Sequence, residues 1–415
     1  MSLARRIIGV EEKVSLLEGF PLSLQHLFAM FGASVLAPSL FHVDPSVVLL
    51  MNGIGTLIYL LVCKGKIPAF LGSSFAFIAP VLALLSLGSH QAQYPLVLGG
   101  FIVVGFIFLL VALLVATVGT TWIDILLPPA AMGPIIALIG LELAQVAASM
   151  AGYIGESGTK EVIVSSVTLL FIMFGSIFFR GFFAIIPILL GIIIGYILSL
   201  ALGLVDLAPV AAAPFFKWPT FYKPQFEWNA ILIIAPAALV VISEHIGHLI
   251  VTGHIVERDL AKDPGLYRSL AGNGVSTILS GLCGSVPTTT YGENIGVMAV
   301  TRVYSVWVIG GAAILSVVLA FSGTLSTLIQ TIPTPVMGGV CMLLFGIIAA
   351  SGIRMLVESK VDYSMPQNLM VTSITFTVGV SGMAVKLGSV PLKGMCLATV
   401  VAMILNLFLY LFRKI

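Results

Sequence analysis

Glu293 stands in Ser285-Val-Pro-Thr-Thr-Thr-Tyr-Gly-Glu-Asn-Ile-Gly296, with no other formal charge between Arg268 and Arg302. A carboxylate on backbone interrupted by proline, threonines and glycines is costly among apolar segments, and such a residue marks a functional site. The break at Pro287 to Thr290 leaves N–H groups free at a half-helix N-terminus, where they favour acceptor atoms of a ligand. A second acidic position lies in Ser243-Glu244-His245-Ile-Gly-His248. Glu244 and His248 are four apart on a predicted helix and share one face. A carboxylate and an imidazole there can line one cavity and exchange a proton or hydrogen bonds. His245 points elsewhere and reads as a packing or hydrogen-bonding residue.

Gly72-Ser-Ser-Phe75 is a matching break in the first half of the chain. Ser73 and Ser74 offer hydroxyls and backbone donors, and Phe75 offers a flat ring. Small residues of this kind also serve tight helix packing; the pairing with the second break favours a site. His26, beside Gln25, is polar in an apolar run and is either a satisfied core residue or part of a pathway. Glu142 has no backbone break nearby and reads as structural. Two carboxylates supply acceptors, two broken helices supply donors and an aromatic ring supplies a stacking face. A small, flat, neutral molecule bearing both N–H and C=O groups, such as uracil, matches all three. An inorganic anion would be repelled unless the carboxylates were protonated. Withdrawal from water favours the neutral form of a carboxylate, which offers a route to proton coupling.

These residues must be positioned by membrane-spanning segments. The 415 residues are 59% hydrophobic and 9% charged, against about 25% charged in soluble domains. The expectation is an all-α polytopic membrane protein with no water-soluble domain. A span needs about 20 apolar residues. Fourteen candidate segments, some short, begin near Pro21, Ser46, Pro68, Pro95, Pro128, Val162, Gly181, Trp228, Leu266, Thr290, Val303, Pro333, Asn368 and Pro391. With the N-terminus cytoplasmic, 14 of the 19 basic residues fall inside, among them Arg5, Arg6, Arg413 and Lys414, and 5 outside: Lys160, Lys217, Lys223, Lys386 and Lys393. That skew follows the positive-inside rule and places both termini inside. The two broken segments are the third and tenth, so each is third in its seven. Seven is odd, so two seven-span halves must be inverted relative to each other, with a boundary in the polar stretch Ala208 to Glu227. The N-terminus has no signal-peptide pattern. The four cysteines are single and far apart, read as small hydrophobes without metal spacing. No nucleophile, metal cluster or phosphate loop suggests an enzyme or a cofactor, and the scattered basic residues suggest no nucleic acid.

At these positions the sequence resembles the nucleobase–ascorbate transporter family, in its bacterial uracil-permease branch. The resemblance is strongest at Pro21 to Gly32, Leu71 to Phe77, Ser243 to His248 and Thr289 to Gly296. The family signature, a polar residue followed by Asn-x-Gly-x4-Thr-Arg, is matched by Glu293-Asn-Ile-Gly-Val-Met-Ala-Val-Thr-Arg302. The resemblance implies fourteen spans in two inverted repeats, with short antiparallel strands in spans 3 and 10. It implies a core domain from residues 1–127 (spans 1–4) and 228–322 (spans 8–11), and a gate domain from 128–227 (spans 5–7) and 323–415 (spans 12–14). It implies proton-coupled uracil uptake across the bacterial cytoplasmic membrane by an elevator-like movement, often as a homodimer. Carried over by position, Glu244 and Glu293 bind the base, and Phe75 and Gly292 give backbone amides. His248 joins the proton-linked network with the two glutamates, and Ser74, His26 and Tyr291 line the pocket. Glu293 favours uracil over purines, since purine members usually open the signature with Gln or Asn. Three departures bear on substrate range: Thr288 where Asn is common, Phe345 where Tyr is common, and Ser243 where Ala is frequent. A xanthine- or urate-type transporter and a passive solute channel are the alternatives.

Overall fold

The computed structural model describes residues 7–387 and 390–412. The basic residues Arg5, Arg6, Arg413 and Lys414 lie outside these. The first half contains α1 (Leu16–Phe41), α2 (Pro45–Val62), strand β1 (Leu71–Ser73), a 3-10 turn (Phe75–Phe77), α3 (Ile78–Leu85), α4 (His90–Val118), the short α5 (Thr121–Leu126), α6 (Pro129–Met150), α7 (Thr159–Phe178), a second 3-10 turn (Phe183–Ile185), α8 (Pro187–Ala201) and the short α9 (Ala208–Ala212). An extended stretch, 213–227, leads into the second half. There follow α10 (Trp228–Ile234), α11 (Ala237–Val256), α12 (Leu266–Cys283), strand β2 (Thr288–Thr290), α13 (Gly292–Thr301), α14 (Val306–Leu319), the short α15 (Gly323–Gln330), α16 (Thr334–Glu358), α17 (Pro366–Val380), the hairpin β3 (Ala384–Leu387) and β4 (Val390–Lys393), and α18 (Gly394–Phe412). Among the described residues, eight helices are long and apolar enough to cross a membrane, α10 and α11 counting as one, and three further apolar helices are shorter. The chain is a multi-pass membrane protein.

Local chemistry sets the helix starts. Ser15 caps α1 by accepting the Glu18 amide, and Asp44 caps α2 by accepting the Ser46 amide, with Pro45 at the first helical position. Small residues then let backbones touch, as membrane interiors require in place of a hydrophobic drive. Gly105 and Gly274 face each other between α4 and α12; a Cβ on either would come within 2.9 Å of the other's carbonyl oxygen. Gly140 of α6 lies against the Phe345 carbonyl of α16, and Gly352 of α16 lies against the Ala137 amide of α6. These contacts define two groups. In one, α12 packs on α2 and α4, and α14 packs on α1 and α2. In the other, α16 packs on α6, α7 and α8, and α17 packs on α6 and α18.

Inside the first group the two breaks meet, β1 against α1 and α2 and β2 against α11 and α12. β1 and β2 pair antiparallel, with Leu71 opposite Thr290, Gly72 opposite Thr289 and Ser73 opposite Thr288. The Ser74 amide donates to the Pro287 carbonyl at 2.9 Å and the Tyr291 amide to the Phe70 carbonyl at 3.0 Å, extending the ladder at both ends. β-branched threonines suit extended backbone, but a three-residue pair has no stability alone. Surrounding helices hold it: the Leu71 amide donates to Thr56 Oγ1 at 2.9 Å, and Thr288 Oγ1 donates to Ser276 Oγ at 2.7 Å. The expected short antiparallel strands are present at both breaks.

Candidate binding site at the paired strands

A cavity of about 420 Å³ opens where the strands end. Ser73 and Phe75 enter it from the first break, and Thr289 to Glu293 from the second; Glu244 and His248 enter from α11. Each break ends in a helical start, the 3-10 turn at Phe75 and α13 at Gly292. Neither start has a side-chain cap, so backbone donors remain available there.

The polar groups are held in place from behind. His248 Nδ1 lies 3.0 Å from Thr290 Oγ1, which ties the imidazole to β2. Its Nε2 lies 3.6 Å from where a Cβ on Gly292 would sit, so the ring bridges the strand and the start of α13. Glu244 is 8% exposed, and its Oε2 is buried with no hydrogen-bond partner among the described residues. A buried acceptor in that condition carries a desolvation cost that a ligand donor relieves. Glu293, half-buried, brings a second carboxylate to the same cavity.

Aromatic and aliphatic surfaces complete the walls. The Phe75 ring stands edge-on to Phe345 of α16 at 6.1 Å between centroids, and lies tilted against Tyr291 at 6.4 Å. Tyr291 in turn covers Gly72, the only residue type that fits: a Cβ there would fall 2.1 Å from the tyrosine Cζ. Ile136 of α6, Ile188 of α8 and Leu344, Ile347 and Ile348 of α16 supply the apolar side, and Ser351 and Arg354 stand along one end. The cavity is therefore walled by both helix groups.

Of the residues singled out from the sequence, the cavity gathers Phe75, Glu244, His248, Tyr291, Gly292 and Glu293. Ser74 is buried with its hydroxyl unpartnered and is not among the lining residues, where Ser73 stands instead. His26 also lies outside the lining. Asn294 Nδ2 donates to both His26 Nδ1 and the His26 carbonyl, each at 3.1 Å, so this pair joins α1 to α13. Thr288 bonds to Ser276 on α12 rather than lining the cavity. His245 Nε2 lies 2.7 Å from Ser269 Oγ, which also bonds Tyr59 at 2.6 Å. Glu142, read from the sequence as structural, accepts the Met395 amide at 2.9 Å and caps the start of α18. Sequence reasoning missed the brace Thr290 gives His248; the three consecutive threonines were its signal. Among the described residues no group of three or more His, Cys, Asp or Glu is placed to hold a metal ion.

Apolar helices interrupted at a buried polar cavity define a membrane transport protein. The chain belongs to the Permease family, whose profile matches residues 18–388. It is 58% identical to a uracil permease of Paenibacillus larvae, over 99% of this chain and 98% of that protein. It is 60% identical to a uracil permease of Escherichia coli K12, over 98% of this chain and 94% of that one. Among solved structures it resembles the transmembrane domain of a cyanobacterium bicarbonate transporter, BicA, with a TM-score of 0.67 at 13% identity, covering 96% of this chain and 99% of that one; that likeness is one of fold. The family expectation from the motifs is borne out, and the chain is a transporter, not an enzyme.

Proposed function

We propose that this protein takes up uracil with a proton across the bacterial cytoplasmic membrane. The observation that carries the reading is the pair of carboxylates, Glu244 and Glu293, facing one cavity beside two uncapped helical starts. Carboxylates accept the two ring N–H groups of a pyrimidine dione; backbone amides donate to its carbonyls. Phe75 and Tyr291 offer the flat surface. The uracil permeases of Paenibacillus larvae and Escherichia coli support the same substrate. Two carboxylates and a histidine at one cavity support proton coupling, because binding a neutral ligand between two negative charges favours taking up a proton.

Fourteen passes follow if β1 with α3, β2 with α13, and α10 with α11 each count as one and the short α5, α9 and α15 count as none. The antiparallel pairing of the third and tenth passes fits two inverted repeats. The two packing groups support a core of residues 1–127 and 228–322 and a gate of 128–227 and 323–415. The cavity wall they share supports an elevator-like slide of one against the other. With both termini inside, the reach of the cavity to Ser351 and Arg354 corresponds to an inward-open state. The assembly is read as a homodimer.

The test is radiolabelled uracil uptake into proteoliposomes, with and without an inward proton gradient. Accumulation that collapses with an uncoupler supports the reading; equal equilibration in both conditions replaces it with a passive facilitator. Competition by unlabelled xanthine stronger than by uracil would reassign the substrate.

A further inference from the structure

Away from the transport cavity, a second groove of about 840 Å³ runs along α1, α2 and α14. Its floor is made by Ser23, Leu57, Leu60, Gly310 and Gly311, and its rim by apolar side chains open to the surroundings: Leu16 is 92% exposed and Leu61 78%. Two features set it apart from an ordinary greasy face. First, two consecutive glycines hollow it: Ser23 packs against Gly311 and donates its hydroxyl to the Val308 carbonyl at 2.8 Å, so the floor is closed and satisfied. Second, the groove is charged at one end. Lys13 and Lys64 both line it where α1 and α14 begin and α2 ends, and no acidic side chain does. Lys13 Nζ sits 4.7 Å from the centre of the Trp307 ring. Among the described residues neither lysine forms an ion pair. The nearby acids are engaged elsewhere, Glu11 with Arg258, Glu12 with the Gly9 amide and Asp263 with Lys66, though the Asp263 charge also reaches Lys64.

We propose that this groove is a binding site for one anionic phospholipid, its acyl chain along Leu57, Leu60 and Gly310 and its phosphate between Lys13 and Lys64. An apolar channel ending in two unpaired ammonium groups and an interfacial tryptophan complements that molecule at both ends. A zwitterionic lipid matches the channel but gains less at the lysines, since its own cation offsets the phosphate. On the orientation proposed above the leaflet is the inner one, where anionic lipids concentrate. The binding test itself reads no transport, so it stands or falls separately from the uracil assignment.

The experiment is tryptophan quenching by phospholipids with brominated acyl chains, using the full-length protein in vesicles. The Trp307 contribution is taken as the difference between the wild type and Trp307→Phe. Brominated phosphatidylglycerol is expected to quench Trp307 at a lower mole fraction than brominated phosphatidylcholine of the same chain length, by about fivefold per lysine engaged. In Lys13→Gln/Lys64→Gln the preference disappears, and in Lys13→Arg/Lys64→Arg it remains. Gly310→Leu, whose added Cβ would meet only Leu60 at 3.7 Å, fills the channel and lowers quenching by both lipids. Equal quenching by the two lipids in the wild type, or a preference that survives the Gln substitutions, overturns the proposal in favour of unselective lipid contact. Quenching by neither overturns it in favour of a second copy covering the face.

Discussion

Replacing Gly72 by alanine adds one methyl group at the centre of the paired strands, and its effect can be worked from the geometry. The new Cβ would lie 2.1 Å from Cζ of Tyr291, 2.2 Å from Cε2 and 2.7 Å from Cε1. Ordinary contact begins at 3.4 Å, so ring or strand must retreat by about 1.3 Å. The ring has little room, being 3% exposed and leaning on Phe75. Gly72 is equally confined, because its strand is bonded to β2 on one edge and to Thr56 on the other. Overpacking of this kind costs about 1–3 kcal/mol. The displaced ring also moves the chain just before Gly292 and Glu293, and a hydrogen bond to a charged group lost there costs about 1.5–3 kcal/mol. Gly72→Ala should therefore lower the thermal midpoint of the purified protein and weaken uracil binding, measured calorimetrically, by about one to two orders of magnitude. Gly346→Ala is the internal control. Gly346 sits inside α16 outside the cavity lining, and nothing lies within 4 Å of its added Cβ. There alanine should stabilise by about 0.5–1 kcal/mol and leave uracil affinity intact. If Gly72→Ala binds and melts like the wild type, the packing of Tyr291 on the strands is not what fixes the site.

Glu293→Gln exchanges an acceptor oxygen for a donor amide; uracil binding by calorimetry should fall at least tenfold, an effect of about 1.4 kcal/mol or more, and full binding would remove Glu293 from the site. Asp44 is 4% exposed and accepts from the Ser46 amide, Ser326 Oγ and the Thr220 amide at 3.0, 2.8 and 3.0 Å. Asp44→Ala removes a helix cap and strands these donors, so thermal unfolding should show a loss of about 3 kcal/mol or more; a loss below about 1 kcal/mol would mean water replaces the carboxylate. Burial works to raise the Asp44 pKa, but the hydrogen bonds from Ser46, Ser326 and Thr220 outweigh it and hold it below the usual 3.8. Its stabilisation is therefore complete above that value and is lost as pH falls through the lowered one, and the melting profile of Asp44→Asn should lose that acid dependence. Glu11 is held below its usual 4.5 chiefly by the hydrogen bonds from Arg258, at 2.6 and 2.9 Å. The same sign applies, but both side chains are about half exposed, so Glu11→Gln should change stability by no more than about 1 kcal/mol, in a salt-dependent way.

Much of the site was legible because it depends on local rules. Composition alone made the chain a membrane protein, since a chain with so few charges has to dissolve in lipid. The spacing of Glu244 and His248 put both on one helix face, and both do enter the cavity. Proline, glycine and threonine clusters announced the two breaks, because backbone that cannot continue a helix at membrane depth must find other partners. What those partners are was a matter of the tertiary structure. The breaks satisfy each other, Leu71 to Ser73 against Thr288 to Thr290, across more than two hundred residues of chain. That pairing selects Ser73 for the cavity over Ser74, because neighbours on extended backbone point to opposite sides. Long-range contacts likewise gave His26 to Asn294 and Glu142 to the Met395 amide. A single sequence shows that a buried polar group needs a partner; only the packed fold supplies the atom that meets it.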